Sequence, residues 1–181
     1  MISFGPIPSR RLGKSLGINN IISPKACSFE CIYCQIGRTF KKTTIREQFY
    51  KPEVIFNNVR SHLLSISPSD KPDYLTFVSN GEPTIDKNLG ESIHLLKSIG
   101  TPVAVITNSS LLSDKSVRDD LALADWVSLK VDAARKSIWQ RINRPSDDLH
   151  FEKHIEKHTY LQGLFQWRFA YGIHDRSGCK R

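Results

Sequence analysis

The stretch DYLTFVSN, residues 73–80, sets Leu75, Phe77 and Val78 between an Asp and an Asn. It is too short for an ordinary helix and too continuously apolar for a strand with one wet face. Two later segments share this character, PVAVITN (102–108) and DWVSLKVDA (125–133), each rich in Val, Ile or Leu and bounded by Pro, Asn or Asp. All three predict buried parallel strands, whose two covered faces remove the polar–apolar alternation. Between them the period changes. Leu89, Ile93 and Leu96 recur at helical spacing before Gly100, a good stop, and Ser113 is placed to cap a helix carrying Val117, Leu121 and Ala124.

Working outward, LGINNII (16–22) predicts a first strand, and Pro52 opens a helix with Ile55, Val59 and Leu63 on one face. Downstream, Ile138 and Ile142 share a short helix that ends by Pro145. Residues 151–165 predict another helix, and QWRFAYGI (166–173) a fifth strand. Repeated β-α units imply an α/β fold: a parallel sheet with outer helices, open or curled toward a barrel, wound right-handed. In either form ligands bind at the carboxyl ends of the strands. With no internal repeat, low-complexity tract or linker, residues 1–181 read as one domain.

A chain of 181 residues buries roughly 70% of its unfolded surface and needs no covalent staples. The N-terminus shows no leader pattern, with Arg10 and Arg11 arriving early, and no apolar run approaches the ~18 residues of a membrane span. The expectation is a cytoplasmic protein with reduced thiols, whose clustered cysteines serve metal or catalysis. The formal charge of +8 is uneven: residues 1–60 carry 10 Lys+Arg against 3 Asp+Glu, a net +7. Such a basic field around the cysteines suits an anionic partner, nucleic acid among them, or a solvated surface.

Cys27, Cys31 and Cys34 lie within CSFECIYC (27–34), spaced C-x3-C-x2-C, while Cys179 stands apart. A structural zinc site wants four ligands, usually as two close pairs, and nothing nearby completes that set. Bacterial ferredoxins use a different order that supplies four thiolates. Three thiolates on a four-iron cluster leave one iron open to a substrate or cofactor.

With Tyr33 just before the last cysteine, this spacing resembles the signature of the radical S-adenosylmethionine superfamily. FGPIPSRRLGKSLGINN, CSFECIYCQIGRT, VSNGEPT, VAVITNSS, VSLKVDA and RINRP also resemble, in order and spacing, stand-alone proteins similar to wyosine-type transfer-RNA synthetases, over roughly residues 4–145. The resemblance implies a 4Fe-4S cluster held by Cys27, Cys31 and Cys34 in the loop after the first strand, with S-adenosylmethionine chelating the fourth iron. It implies an oxidoreductase or transfer-RNA-modifying enzyme that cleaves S-adenosylmethionine reductively to a 5'-deoxyadenosyl radical. A reductant such as flavodoxin or ferredoxin is the implied partner, and transfer RNA is one candidate substrate beside a small molecule or a protein side chain. The cofactors carry the hard chemistry and the protein positions them.

Further site residues follow from the same resemblance. Gly81, Glu82 and Pro83 come directly after a strand, where the superfamily has a Gly-Gly-Glu-Pro turn that recognises the methionine ammonium; Asn80 replaces the first glycine and tolerates positive φ. Ser128, Lys130 and Asp132 alternate on one strand, so they share a face, and the resemblance places them against the ribose and carboxylate of S-adenosylmethionine. A plain Lys130–Asp132 ion pair is the alternative. Asn108 ends its strand at the same rim, followed by Ser109 where the family often has Gly. Tyr33 completes the cofactor set.

Other motifs weigh less. PSRRLGKS matches the end of a phosphate-binding loop, but Pro8 stands where glycine is required and no strand is expected before it. Arg10, Arg11, Arg141 and Arg144 are candidates for an anionic substrate or for plain surface charge. His154 and His158 read as solvent-facing, and Cys179 as a free tail thiol. After Pro145 the match fades, although YGIHD (171–175) resembles a fifth-strand motif. The expected architecture is therefore a partial (β/α) barrel, a partial TIM barrel lacking the last β-α unit, with an open sheet edge, as in a fragment or truncated remnant of a radical enzyme. Two rival functions remain: a non-catalytic basic zinc module binding nucleic acid, and an electron carrier indifferent to S-adenosylmethionine.

Overall fold

The computed structural model describes residues 1–156. Their main sheet has five strands in the order β1 (Ser3–Ser9), β2 (Gly13–Ile18), β5 (Tyr74–Phe77), β6 (Val103–Thr107) and β7 (Trp126–Leu129). β2, β5, β6 and β7 run parallel, as the apolar runs predict, and β1 is antiparallel to β2. A two-residue ribbon, β3 (Ala26–Cys27) beside β4 (Lys41–Lys42), lies apart from the sheet.

The helices follow from local chemistry. α1 (Pro52–Ser65) starts on proline, whose missing N–H costs nothing there, and buries Ile55 and Val59 one turn apart. α2 (Leu89–Lys97) is followed by Gly100 with φ +83. α3 (Lys115–Ala122) is capped by Asp114, whose carboxylate accepts from the Ser116 amide at 2.8 Å. The cap thus falls one residue past Ser113. α4 (Lys136–Asn143) ends on Arg144 in the left-handed region, with Pro145 behind it.

Strand register separates the two faces of the sheet. Leu16, Leu75 and Val103 align across one row, and Ile18, Phe77, Val105 and Val127 across another. All seven join Ile55, Val59, Ile93, Leu96, Val117 and Leu121 of α1, α2 and α3 in one buried core. The intervening rows, with Gly17, Thr76 and Ala104 and then Ile106 and Ser128, face away from the helices. The first of these rows continues to Trp126, and a parallel sheet with helices on one face is consistent with a segment of a partial barrel. Neither closure nor a last unit is seen among the described residues. The expected strand at 166–173, the helix beyond residue 156, His158 and Cys179 lie outside them. Residues 151–156 are helical as expected, and no helix of the described residues is long and apolar enough to cross a membrane.

Four expectations need correction. β1 was not foreseen, because Gly5, Pro6 and Pro8 read as loop; an edge strand tolerates proline where no ladder bond is needed. A strand therefore does precede PSRRLGKS, but that segment turns into β2 and not into a helix, and Lys14 Nζ binds the Ser69 carbonyl and Asp70 at 2.7 and 2.9 Å. The phosphate-loop reading fails on this different ground. The first parallel strand spans Gly13–Ile18, three residues earlier than expected. His154 is buried, edge-on to Phe29 at 5.9 Å and stacked on Trp139 at 5.8 Å, so it belongs to a small core and not to solvent.

Asp86 follows the turn after β5 and is fully buried, accepting from Asn20 Nδ2 and the Asn88 amide at 3.0 Å each. Burial pushes its carboxyl up to about 6 from 3.8, against those hydrogen bonds and the Arg46 charge. The native state then holds this proton more tightly than the unfolded chain. Its stabilising contribution is complete below the unfolded value and is lost as pH rises through the folded one. Between pH 4.5 and 7.5 the wild type should lose about 2 kcal/mol of unfolding free energy relative to Asp86→Asn. Urea melts of both proteins at the two pH values check this; a pH-independent gap between them refutes it.

Candidate metal and cofactor site

The cysteine loop lies across the carboxyl ends of the parallel strands, held by three short pairings. Ala26 bridges Gly81 just beyond β5, Phe29 bridges Pro145 beyond α4, and Glu47 bridges Asp86. Beneath the loop a second core gathers Cys27, Phe29, Ala133 and Trp139, with Cys31, Ile138, Ile142, Leu149 and Phe151 packed on it. Phe29 meets Trp139 edge-on at 5.9 Å. The loop amides of Glu30 and Ile32 donate to the Asn143 and Ile142 carbonyls at 2.9 Å each, so the last turn of α4 acts as a second wall.

Gly81 makes the first wall possible. Its φ is +143, and a Cβ there would overlap the Ala26 carbonyl oxygen, the same oxygen that accepts from the Glu82 amide at 3.1 Å. Glu82 turns its carboxylate inward, where it is 2% exposed. One oxygen accepts from the Thr84 amide at 3.1 Å and from the Thr84 and Thr107 hydroxyls at 2.6 Å; the other accepts from the Asn108 amide at 2.7 Å. Burial raises this carboxyl above its ordinary range although those donors oppose the shift. Glu82 thus ties the end of β5 to the end of β6. Asn80, which could tolerate positive φ, does not adopt it, while Ser109 takes φ +65, as a position that often holds glycine would.

All three cysteines are unbridged, and each sulfur meets a nitrogen donor from a different place. Asn108 Nδ2 lies 3.6 Å from Cys27 Sγ, Asn143 Nδ2 lies 3.4 Å from Cys31 Sγ, and Lys25 Nζ lies 3.0 Å from Cys34 Sγ. Burial, with Glu82 next, pushes the Cys27 thiol up to about 12. At Cys34 burial also acts upward, but hydrogen bonds from Lys25 and from the Ile36 and Gly37 backbone bring the net value below the ordinary one.

These donors fit sulfur ligands of an iron-sulfur cluster, which is tuned by hydrogen bonds to its sulfurs. Among the described residues no three His, Cys, Asp or Glu side chains form a group that could hold a metal ion, the three cysteines included. A structural zinc site takes four ligands. A four-iron cube takes each of three thiolates on a different iron and leaves the fourth iron open.

Tyr33, Lys130 and Asp132 do come together, though not on a strand. β7 ends at Leu129, and one further ladder bond, from the Lys130 amide to the Thr107 carbonyl at 3.1 Å, leads into the loop that carries Asp132. Lys130 is half exposed, not buried on an inner face as expected, because the strand stops before it. Its Nζ lies 3.4 Å from Asp132, 3.1 Å from the Tyr33 hydroxyl and 4.3 Å from that ring's centre. The Tyr33 hydroxyl donates to Asp132, and Asn143 Nδ2 reaches both, at 3.0 and 2.6 Å. The ion pair therefore exists within a larger polar group beside Cys31. Burial, with Asp132 next, raises the Tyr33 phenol. Ser128 is buried on the helix-free face, opposite Ile106.

The basic field is less concentrated than the residue count suggests. Arg10 and Arg11 cap the β1–β2 hairpin at the opposite end of the sheet, about 20 Å away along the six residues of β2. Lys25 is buried, Lys41 pairs with Glu47 at 2.6 Å, and Arg46 pairs with Asp120 while capping the Thr84 and Asp86 carbonyls. Arg38, Lys42, Arg141 and Arg144 remain exposed near the loop. Lys25, Thr107 and Asn143 were missed by the sequence reading. Asn143 sits inside RINRP, a motif whose spacing alone assigns it no partner.

A UPF0026 protein of Methanocaldococcus jannaschii is 51% identical over 170 residues, covering 94% of this chain and 50% of the relative. A UPF0026 protein of Synechocystis sp. is 38% identical over 151 residues, covering 83% and 55%. The chain spans about half the length of these curated relatives. A structure of TYW1 with a lysine-pyruvate adduct bound matches with a TM-score of 0.62 at 16% identity, over 84% of this chain and 54% of that one, which establishes a shared fold. The model of the Radical SAM superfamily matches residues 21–173, well over half of the sequence, and the chain belongs to that superfamily.

Proposed function

We propose that Cys27, Cys31 and Cys34 hold a 4Fe-4S cluster and that S-adenosylmethionine binds beside it at the carboxyl ends of β5, β6 and β7. The observation that carries this reading is the separate nitrogen donor aimed at each of the three sulfurs. When bound, the two groups supply one-electron cleavage of the sulfonium to a carbon radical. The protein's residues orient them. Gly81, Glu82 and Pro83 border the ligand after β5, Asn108 after β6, and Ser128, Lys130 and Asp132 at and after β7, with Tyr33 leaning over from the loop. Glu82 contacts an ammonium in this reading through a carboxylate that already holds four donors, so its stronger role is to fix the rim. A low-potential carrier such as flavodoxin or ferredoxin supplies the electron.

Transfer RNA is the substrate class we favour, on the motifs shared with wyosine-type synthetases, the fold shared with TYW1 and the exposed Arg38, Lys42, Arg141 and Arg144. RNA held through phosphates should bind with an affinity that falls steeply with salt; a flat dependence removes that substrate.

The deciding experiment is anaerobic reconstitution with iron and sulfide, followed by electron paramagnetic resonance of the reduced protein with and without S-adenosylmethionine. We expect a four-iron signal that changes on addition and is absent from Cys31→Ala. A colourless zinc protein would overturn the reading. So would full iron content in the variant or a signal indifferent to S-adenosylmethionine, the latter leaving an electron carrier.

A further inference from the structure

Lys25 stands two residues before the first cysteine and is 5% exposed. Its ammonium has two partners: the Gly37 carbonyl at 2.7 Å and Cys34 Sγ at 3.0 Å. None of the ion pairs among the described residues includes it. A buried ammonium facing one neutral carbonyl is costly by several kcal/mol, and it becomes tolerable when an anion lies opposite. In the cluster reading that anion is the Cys34 thiolate, 3.0 Å from the ammonium.

The backbone fixes this meeting from both sides. The Lys25 carbonyl accepts from the Lys41 amide at 3.1 Å as the β3–β4 ribbon begins. The Gly37 amide donates to the Cys34 carbonyl at 3.0 Å, closing a turn whose inner side the ammonium fills. Lysine at this place does two things that a neutral residue of equal length cannot. It supplies a charged hydrogen bond, roughly twice as strong as a neutral one, to one defined ligand sulfur. It also places a fixed positive charge next to a centre whose net charge becomes more negative on reduction.

We propose that Lys25 is a positioning residue for the cluster: it holds the Cys34 thiolate and favours the reduced cluster over the oxidised one. One electron enters from a low-potential donor, dithionite in the test, and no bond is made or broken. The proposal rests on the cluster reading above.

The test is a redox titration of the reconstituted chain, followed by electron paramagnetic resonance, for wild type, Lys25→Met and Lys25→Arg, with iron content measured on each. Lys25→Met should shift the reduction equilibrium about tenfold toward the oxidised cluster, about 59 mV more negative for one electron. Lys25→Arg, which keeps the charge, should recover most of that shift. In wild type carrying lysine labelled with 15N at Nζ, the reduced cluster should show a weak 15N coupling that Lys25→Arg removes. That measurement stands even if Lys25→Met does not fold. An unchanged potential in an iron-loaded Lys25→Met protein, or no 15N coupling in wild type, overturns the proposal and leaves the cluster reading intact. A wild-type chain that binds no cluster overturns both.

Discussion

Gly81→Ala should abolish cluster loading while Gly37→Ala leaves most of it. Both glycines have positive φ, +143 and +86, so each alanine meets backbone strain of roughly 1–2 kcal/mol. The difference lies in what the added methyl touches. At Gly37 nothing lies within 4 Å, although the residue is inside the cysteine loop. At Gly81 the methyl overlaps the Ala26 carbonyl, which is backbone and cannot rotate aside. Relief requires the Ala26–Gly81 bridge and the 3.1 Å bond from the Glu82 amide to open, and these join the loop to the end of β5. We expect a loss of about 3 kcal/mol or more in urea unfolding, at the upper end of single-substitution effects. Iron content after reconstitution should fall below about a tenth of wild type, and Gly37→Ala should lose about 1 kcal/mol. Equal behaviour of the two variants would mean that the close approach at Gly81 does not hold the loop.

That contrast shows what a linear sequence can carry. Both glycines are visible as turn residues, but Ala26 is 55 positions from Gly81, and only the folded sheet brings its carbonyl against that turn. The parallel strands were legible because burial on both faces leaves Val, Ile, Leu and Phe in short runs, and Leu75, Phe77, Val103, Val105 and Val127 all reach the core. β1 was hidden by its glycine and prolines. At the other end, Ser128, Lys130 and Asp132 keep a period of two past Leu129, where the strand ends, and nothing in the alternation marks that end. The cysteine spacing is local and was readable. The nitrogen donors around it come from residues 25, 108 and 143, and distances of that kind are set by tertiary packing. Charge misled in a similar way: in the basic first third Arg10 and Arg11 sit at the far hairpin, Lys51 and Arg60 lie at and on α1, Lys25 is buried, Lys41 and Arg46 are paired, and Arg38 and Lys42 are exposed near the loop.

Glu82→Ala should be the most destabilising polar substitution at the rim, costing about 3–5 kcal/mol, because it strands donors that have no water to turn to. The Thr84 and Asn108 amides and the Thr84 and Thr107 hydroxyls all point at this carboxylate, in a site 2% exposed. Glu82→Gln separates charge from hydrogen bonding. Its carbonyl can serve the oxygen that accepts three of the four donors, while its amide group faces the Asn108 N–H and loses that bond, for a cost of about 1–3 kcal/mol. Since burial raises the Glu82 carboxyl, the native state of the wild type binds this proton more tightly than the unfolded chain. Wild-type stability from this group is therefore greatest at low pH and declines as pH rises, so the gap to Glu82→Gln should narrow in that direction. The consequence reaches the metal site through Asn108, whose amide is fixed by Glu82 and whose side chain approaches Cys27 at 3.6 Å and Ser28 at 2.9 Å. Urea melts and iron content of the alanine and glutamine variants measure the two effects together. A loss under 1 kcal/mol for Glu82→Ala would show that the rim is held by other contacts; iron loading that stays intact despite the full loss would show that Cys27 does not depend on Asn108 for its place.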